Sequence, residues 1–210
     1  MVEISSISIV LNEGPYIGEW IDYHKNMFGE MIIVDGGSTD NTVEIIKSKG
    51  IIPHFRQWDN DFSKQRNFSI EKANFDWVFV LDVDHRVSPE LVSHFEELTN
   101  DSAVACYEVQ FVYIVDGKDV GYPKFMNFFR KSSGITYWRE IHEGICDKDG
   151  VCVKEHKTLP DDWCVYHIKT LDMVKISLDR YASYGKELGG LGKEDVDTVL
   201  KTVKEQLGYE

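Results

Sequence analysis

The 210-residue sequence predicts an α/β fold with a mixed, mainly parallel central sheet flanked by helices, then a β-hairpin and loop region, then C-terminal helices. Three observations point there. Up to Asn100, short apolar runs that fit strands alternate with segments of helical periodicity, the order that builds parallel sheets through crossover connections. Beyond Asn100 the pattern changes to alternation around Asp116-Gly117, a hairpin signal. From Leu171 onward, apolar stripes at helical spacing close the chain.

In chain order, Ile7, Ile9 and Leu11 form a first strand that ends at Asn12-Glu13-Gly14-Pro15, where Pro15 opens a helix. Ile17, Trp20, Ile21, His24 and Phe28 share one face of it, with His24 read as a packing histidine, and Gly29 closes it. Met31 to Val34 is a second strand ending at Asp35. Asn41 and Glu44 have the spacing of a capping box for a helix through Lys47 that Gly50 stops. Ile51 to Phe55 is confined to an edge because Pro53 lacks a donor. Ser63 to Ala73 fits a helix, and Trp77 to Leu81 is the most apolar strand, suited to the sheet centre. Ser88 and Pro89 start a helix that buries Leu91, Val92, Phe95 and Leu98. Tyr107, Val109, Phe111, Tyr113 and Val115 alternate into the hairpin turn, and a returning arm runs through Tyr122 to Phe129. Lys131 to Asp162 is loop-rich. Leu171, Val174, Leu178, Tyr181 and Leu188, then Val196, Val199, Leu200, Val203 and Leu207, read as packing faces. Residues 1–210 are expected to be one domain, divided at 100 and 170.

Thirty-six acidic against 23 basic residues give a net charge of −13, which disfavours nucleic acid and anionic membrane surfaces as partners. No apolar run approaches the roughly 20 residues of a membrane helix. Met1 to Val10 lacks the basic start and cleavage site of a signal peptide. Cys106, Cys146, Cys152 and Cys164 contain no Cys-x-x-Cys pair, which suits a reducing, cytoplasmic setting better than a zinc site or a disulfide. Gly208-Tyr209-Glu210 follows a helix with no terminal device, so further domains of a longer polypeptide are among the expected partners.

The chemistry gathers where predicted strands end. In open α/β sheets ligands bind outside the carboxyl ends of the strands, and here those ends carry Asn12-Glu13, Asp35 and Asp82-Val83-Asp84. In extended chain Asp82 and Asp84 leave one face, with alpha carbons roughly 6.6 Å apart at about 3.3 Å per residue. Carboxylates that close repel unless a cation sits near them. Hard oxygen ligands favour magnesium or manganese, whose shells phosphate oxygens and water complete.

Asn12-Glu13, Val34-Asp35-Gly36-Gly37-Ser38-Thr39-Asp40-Asn41-Thr42, Gln65-Arg66-Asn67 and Leu81-Asp82-Val83-Asp84 resemble, in order and spacing, the nucleotide-sugar half of the GT-A fold glycosyltransferases of family two. The resemblance covers residues 4 to 100. Trp138-Arg139-Glu140-Ile141-His142-Glu143 and Tyr166-His167 resemble, less specifically, the acceptor-side motifs of its lipopolysaccharide-type members. The acidic composition and single core also resemble those of the amino-terminal glycosyltransferase domain of a large chlorella-virus protein, which would put the chain in a host cytoplasm. The resemblance implies a GT-A-like, Rossmann-related sheet, with 1–100 as the nucleotide-sugar half and 101–170 as the acceptor-side half. It implies a UDP-sugar donor, a glycan or glycoconjugate acceptor, and Mn2+ or Mg2+. Asp35 would accept a hydrogen bond from the uracil ring nitrogen, with Val10, Leu11 and Asn12 lining the base. Arg66 would lie near base or phosphate. Asp82, with Val83, would reach the ribose hydroxyls or a metal-bound water, Asp84 would bind the ion, and His167 would complete its shell.

Sugar transfer builds negative charge on the leaving diphosphate, which a metal stabilises, and needs a carboxylate to take the acceptor proton. Glu143 is the candidate base and Glu140 the second, and the family's commonest outcome is inversion. Tyr137 and Trp138 fit sugar stacking or plain packing equally. Two positions depart from the family: Gly36 replaces a common second aspartate, and His85 replaces an acid after the Asp-x-Asp. An Asp-x-Asp phosphotransferase leaves Asn12 and Asp35 unexplained, and an inactive scaffold of the same fold leaves the three aspartates unexplained. The missing glycine-rich loop disfavours a dinucleotide-binding domain.

Overall fold

A computed structural model describes residues 2–183 and 193–208. Leu188, expected on the first closing stripe, lies outside them, as do the side chains of Tyr181 and Val196. The first strand, β1 (Ile4–Val10), is buried along nearly its whole length and pairs in parallel with β2 (Glu30–Asp35). Between them α1 (Gly14–His24) begins at Pro15 and buries Ile17, Trp20, Ile21 and His24. The capping box expected for α2 (Thr42–Ser48) does not form, since Asn41 makes no side-chain cap bond. Asp40 takes the role instead, with Oδ1 accepting from Thr42 N–H and Oδ2 from Gly14 N–H, both at 3.0 Å. The Asn41 side chain lies instead against the start of α1, where a Cβ on Gly14 would meet its oxygen at 2.1 Å. Gly50 ends α2 with φ +82°, a value glycine adopts without strain.

β3 (His54–Phe55) lies at the sheet edge, as Pro53 required. Asp61 caps α3 (Phe62–Lys72) by accepting from Lys64 N–H at 3.0 Å. β4 (Trp77–Val80) is wholly buried and parallel to β1. After β5 (His85–Val87), the single helix expected from Pro89 is two, α4 (Pro89–Ser93) and α5 (Phe95–Asn100), interrupted at His94. Its cap is as expected: Ser88 Oγ accepts from Leu91 N–H at 3.2 Å. β6 (Cys106–Val115) turns through Asp116-Gly117 into β7 (Lys118–Gly121), and beyond Pro123 the arm resumes as β8 (Lys124–Arg130). The loop-rich stretch contains a two-stranded sheet, β9 (Thr136–Trp138) with β10 (Gly144–Cys146), and the short β11 (Lys157–Thr158). β12 (Cys164–Lys169) precedes α6 (Leu171–Ser183) and α7 (Lys193–Leu207).

The main sheet runs β3-β2-β1-β4-β8-β6-β12-β5, with β7 and β11 also on β6. Apolar side chains pack on both of its faces: Trp20, Phe28, Phe79, Phe95 and Phe128 belong to one cluster, Ile7, Ile70, Val78, Val80 and Phe129 to the other. The antiparallel β8 joins β4 to β6, so both halves of the chain share one sheet and the late strand β12 lies antiparallel to β5. All four cysteines are unpaired, and burial pushes the Cys106 thiol up to about 12. Among the described residues no helix is long and apolar enough to cross a membrane.

Candidate active site

Antiparallel pairing of β12 with β5 sets His167 opposite His85 and brings both to Asp84. Asp84 Oδ2 accepts from His167 Nε2 at 3.0 Å and lies 3.4 Å from Lys169 Nζ. Burial alone would raise the Asp84 carboxyl; the His167 hydrogen bond, with smaller electrostatic contributions from the neighbouring imidazoles and Lys169, outweighs it and holds it far below the usual range. Burial also lowers His85 to about 4, against the raising effect of Asp84 and Asp82. That ring is therefore neutral, and because its Nδ1 accepts from Asp82 N–H at 2.9 Å, its proton sits on Nε2. His85 consequently has no lone pair to spare for an ion while this bond holds. Asp84 Oδ1 and His167 Nδ1 are buried without a hydrogen-bond partner. A buried carboxylate oxygen that makes no hydrogen bond, with His85 Nε2 no nearer than 3.6 Å and the His167 imidazole beside it, fits a divalent cation held by Asp84 and His167.

Arg66, buried on α3, joins the other two acids. Its Nη1 and Nη2 donate to Asp82 Oδ1 and Oδ2 at 3.0 and 3.1 Å, and its Nε to Glu143 Oε1 at 2.6 Å. Burial opposes the Arg66 charge, but Asp82 and Glu143 outweigh it and raise the guanidinium well above its ordinary value. In return Arg66 offsets the effect of burial on Asp82, whose carboxyl is lowered. The Arg66 guanidinium also lies 5.6 Å from the centre of the Tyr137 ring. Asn67, the next residue on α3, bonds the Tyr137 backbone in both directions, at 2.8 and 2.9 Å, and Phe62 N–H donates to the Glu140 carbonyl at 2.9 Å. These bonds moor the β9–β10 turn to α3 and so present Glu143.

Asp82, Asp84, Arg66, Glu143 and His167 all line one cavity of about 470 Å³. Val10 and Leu11 line a separate, smaller slot with Trp58, Phe62 and Gln65. Consecutive residues of α3 thus face the two spaces, Gln65 the slot and Arg66 the cavity. Asp35, at the end of β2, accepts from Gly37 N–H at 3.0 Å and Ser38 N–H at 3.2 Å. Asn12 has φ 58°, and its Oδ1 accepts from Thr39 N–H at 2.8 Å, so its side chain braces the Ser38–Asp40 loop. Glu140 is exposed and lines neither space, and Val83 is packed in the core. The Gly36 departure has a steric reason, since a Cβ there would lie 3.3 Å from Trp58 Cβ and 3.4 Å from the Val10 carbonyl oxygen. Asn127 and Lys169 also line the cavity and were not singled out from the sequence. For Asn127 a signal existed, one amide inside the aromatic run Phe125-Met126-Asn127-Phe128-Phe129.

The chain is 30% identical over 140 residues to the SPbeta prophage-derived glycosyltransferase SunS of Bacillus subtilis, covering 64% of this chain and 33% of SunS. It is 26% identical over 160 residues to the lipopolysaccharide core biosynthesis glycosyltransferase LpsC of Rhizobium meliloti, covering 70% of this chain and 58% of LpsC. The chain thus spans about a third of the length of SunS. The crystal structure of Staphylococcus aureus TarS in complex with UDP-GlcNAc superposes with a TM-score of 0.62 at 15% identity, over 94% of this chain and 70% of that one, and shares its fold. The chlorella-virus likeness finds no support among these relatives, which are bacterial or prophage-derived. Residues 5–153, most of the chain and all the motifs from Asn12 to Glu143, match the family described as Glycosyl transferase family 2, and the chain belongs to that family.

Proposed function

We propose that this chain transfers a sugar from a UDP-sugar to a hydroxyl of a glycan or glycoconjugate acceptor, with inversion, and needs Mn2+ or Mg2+ to do so. The observation that carries the reading is the shared cavity wall: Asp82, Asp84, His167, Arg66 and Glu143, drawn from four places in the sequence, face one space. The glycosyltransferase names of SunS and LpsC and the UDP-GlcNAc complex of TarS support the same donor class. The uracil belongs in the slot of Val10, Leu11 and Trp58, with Asp35 at the end of β2 as its polar partner. From there the diphosphate and sugar enter the cavity past Arg66.

Asp84 and His167 would hold the ion, which, when bound, offsets the charge that grows on the leaving diphosphate. Asp82 is fixed by the paired donors of Arg66 and offers its outer lone pairs to ribose hydroxyls. Arg66 holds Glu143 through Oε1, and Oε2 is the oxygen assigned to take the acceptor proton. Tyr137 backs the guanidinium and keeps Arg66, and through it Glu143, in register. A screen of UDP-sugars with Mn2+ tests the proposal by release of free UDP. Wild type should turn over at least one donor, and Glu143→Gln should bind that donor within threefold of wild type while losing about 10²-fold or more in transfer, the scale of general-base catalysis. Unchanged transfer in Glu143→Gln would remove the base assignment, and no release from any UDP-sugar would remove the transferase reading.

A further inference from the structure

Asn127 is 6% exposed on β8 and lines the cavity of Asp82, Asp84 and Glu143. Its Nδ2 donates to the Val80 carbonyl at 2.9 Å. That bond fixes the orientation of the amide, because the flipped form would set two carbonyl oxygens against each other. The Asn127 Oδ1 is then buried with no donor. Among the described residues six side-chain atoms share that condition, and three of them, on Asp84, Asn127 and His167, belong to residues that line this one cavity. Buried polar groups in native proteins are paired, so an orphan of this kind in a cavity wall marks a contact that a ligand completes. Two of the three are explained by a cation. The carboxylate and imidazole already serve the cation, and an amide oxygen repels phosphate oxygens; as a hydrogen-bond acceptor it takes an O–H or N–H.

We propose that Asn127 Oδ1 accepts a hydrogen bond from a hydroxyl of the donor's sugar and thereby selects which sugar the site takes. The inference rests on the UDP-sugar reading above. Position favours the sugar over the rest of the donor, because Val80 lies two residues before Asp82 and four before Asp84, at the carboxyl end of β4 where the diphosphate would be held. The base slot does not include Asn127. A site built to bond a hydroxyl discriminates strongly against the analogue lacking it, since its own buried group is then left unpaired.

The test is calorimetry in Mn2+ with UDP, with UDP-glucose, UDP-galactose, UDP-GlcNAc and UDP-GalNAc, and with the monodeoxy forms of the tightest binder. In wild type, removal of one particular hydroxyl should weaken binding tenfold or more. Asn127→Leu, close in volume, should bind UDP within twofold of wild type, bind the full donor about tenfold more weakly, and no longer distinguish that deoxy form. The deoxy series on wild type stands even if the variant fails to fold. Equal effects of every deoxy form, the same discrimination in Asn127→Leu and wild type, or an equal loss of UDP and UDP-sugar binding would overturn the proposal. Wild type that does not bind UDP at all would instead overturn the UDP-sugar reading and the proposal with it.

Discussion

Asp84 and His24 are both buried, and their surroundings give them opposite roles. Around Asp84, a hydrogen bond from His167 and the charge of Lys169 support a carboxylate that burial disfavours, so the group stays ionised and keeps one oxygen free of hydrogen bonds. Asp84→Ala should therefore abolish Mn2+ binding and cut Mn2+-dependent UDP binding by 100-fold or more, with the circular dichroism spectrum unchanged; wild-type affinity would remove Asp84 from the ion site. His24 sits in the core with Nδ1–H donating to the Trp20 carbonyl at 3.0 Å, and burial lowers its pKa to about 3. The native ring stays neutral while the unfolded one takes a proton below its ordinary value near 6.5. The His24 contribution is thus fully present above that pH and lost as pH falls toward 3, by about 1.4 kcal/mol per pH unit at the steepest. Urea melts should show the stability gap between wild type and His24→Gln shrinking from pH 7 to pH 5; a constant gap would mean that the native ring takes up the proton as readily as the unfolded one. Asp35, Asp82 and Asp84 were legible in the sequence because acids at strand ends form a pattern. Asn127 was not, because its meaning depends on the Val80 carbonyl across the sheet.

Among the elements, those whose ends are marked by local chemistry were readable, such as α1 at Pro15 and α4 at Ser88. The α2 start was misread, since the capping-box spacing of Asn41 and Glu44 says nothing about Gly14, 27 positions before Asn41, against which the Asn41 side chain lies. Asp40→Ala should cost about 1–2 kcal/mol in chemical denaturation, as lost helix caps do. Asn41→Ala should cost less than about 0.5 kcal/mol, the range of surface substitutions without a cap; the reverse order would restore the capping box. The β9–β10 pair was hidden inside a loop-rich stretch because three-residue strands carry no periodicity. Its placement depends on Asn67 and Phe62 from α3, contacts that no local pattern announces. The same pair presents Glu143, so its geometry had to come from the structure.

For the whole molecule, the proposed reading sets a charge of −13 against an anionic donor, and a cation between them, with Arg66, Lys124 and Lys169 on the cavity wall, would offset that charge. The sheet order performs this focusing: β4 delivers Asp82 and Asp84, β12 delivers His167 from residues 164–169, and β8 joins the two halves. Chelation of divalent ions should thus weaken UDP binding without unfolding the chain, since each core cluster is apolar and independent of the ion. Thermal melts with and without chelator in the absence of nucleotide should agree within about 2 °C, the shift that well under 1 kcal/mol gives in a domain of this size; a larger fall would make the ion part of the fold. The most direct measurement is a calorimetric titration of UDP into the wild-type protein with saturating Mn2+ and again with chelator. Saturable binding in Mn2+ that falls at least 100-fold under chelation is the predicted result, and binding that is absent in Mn2+ or equal in the two conditions would contradict it.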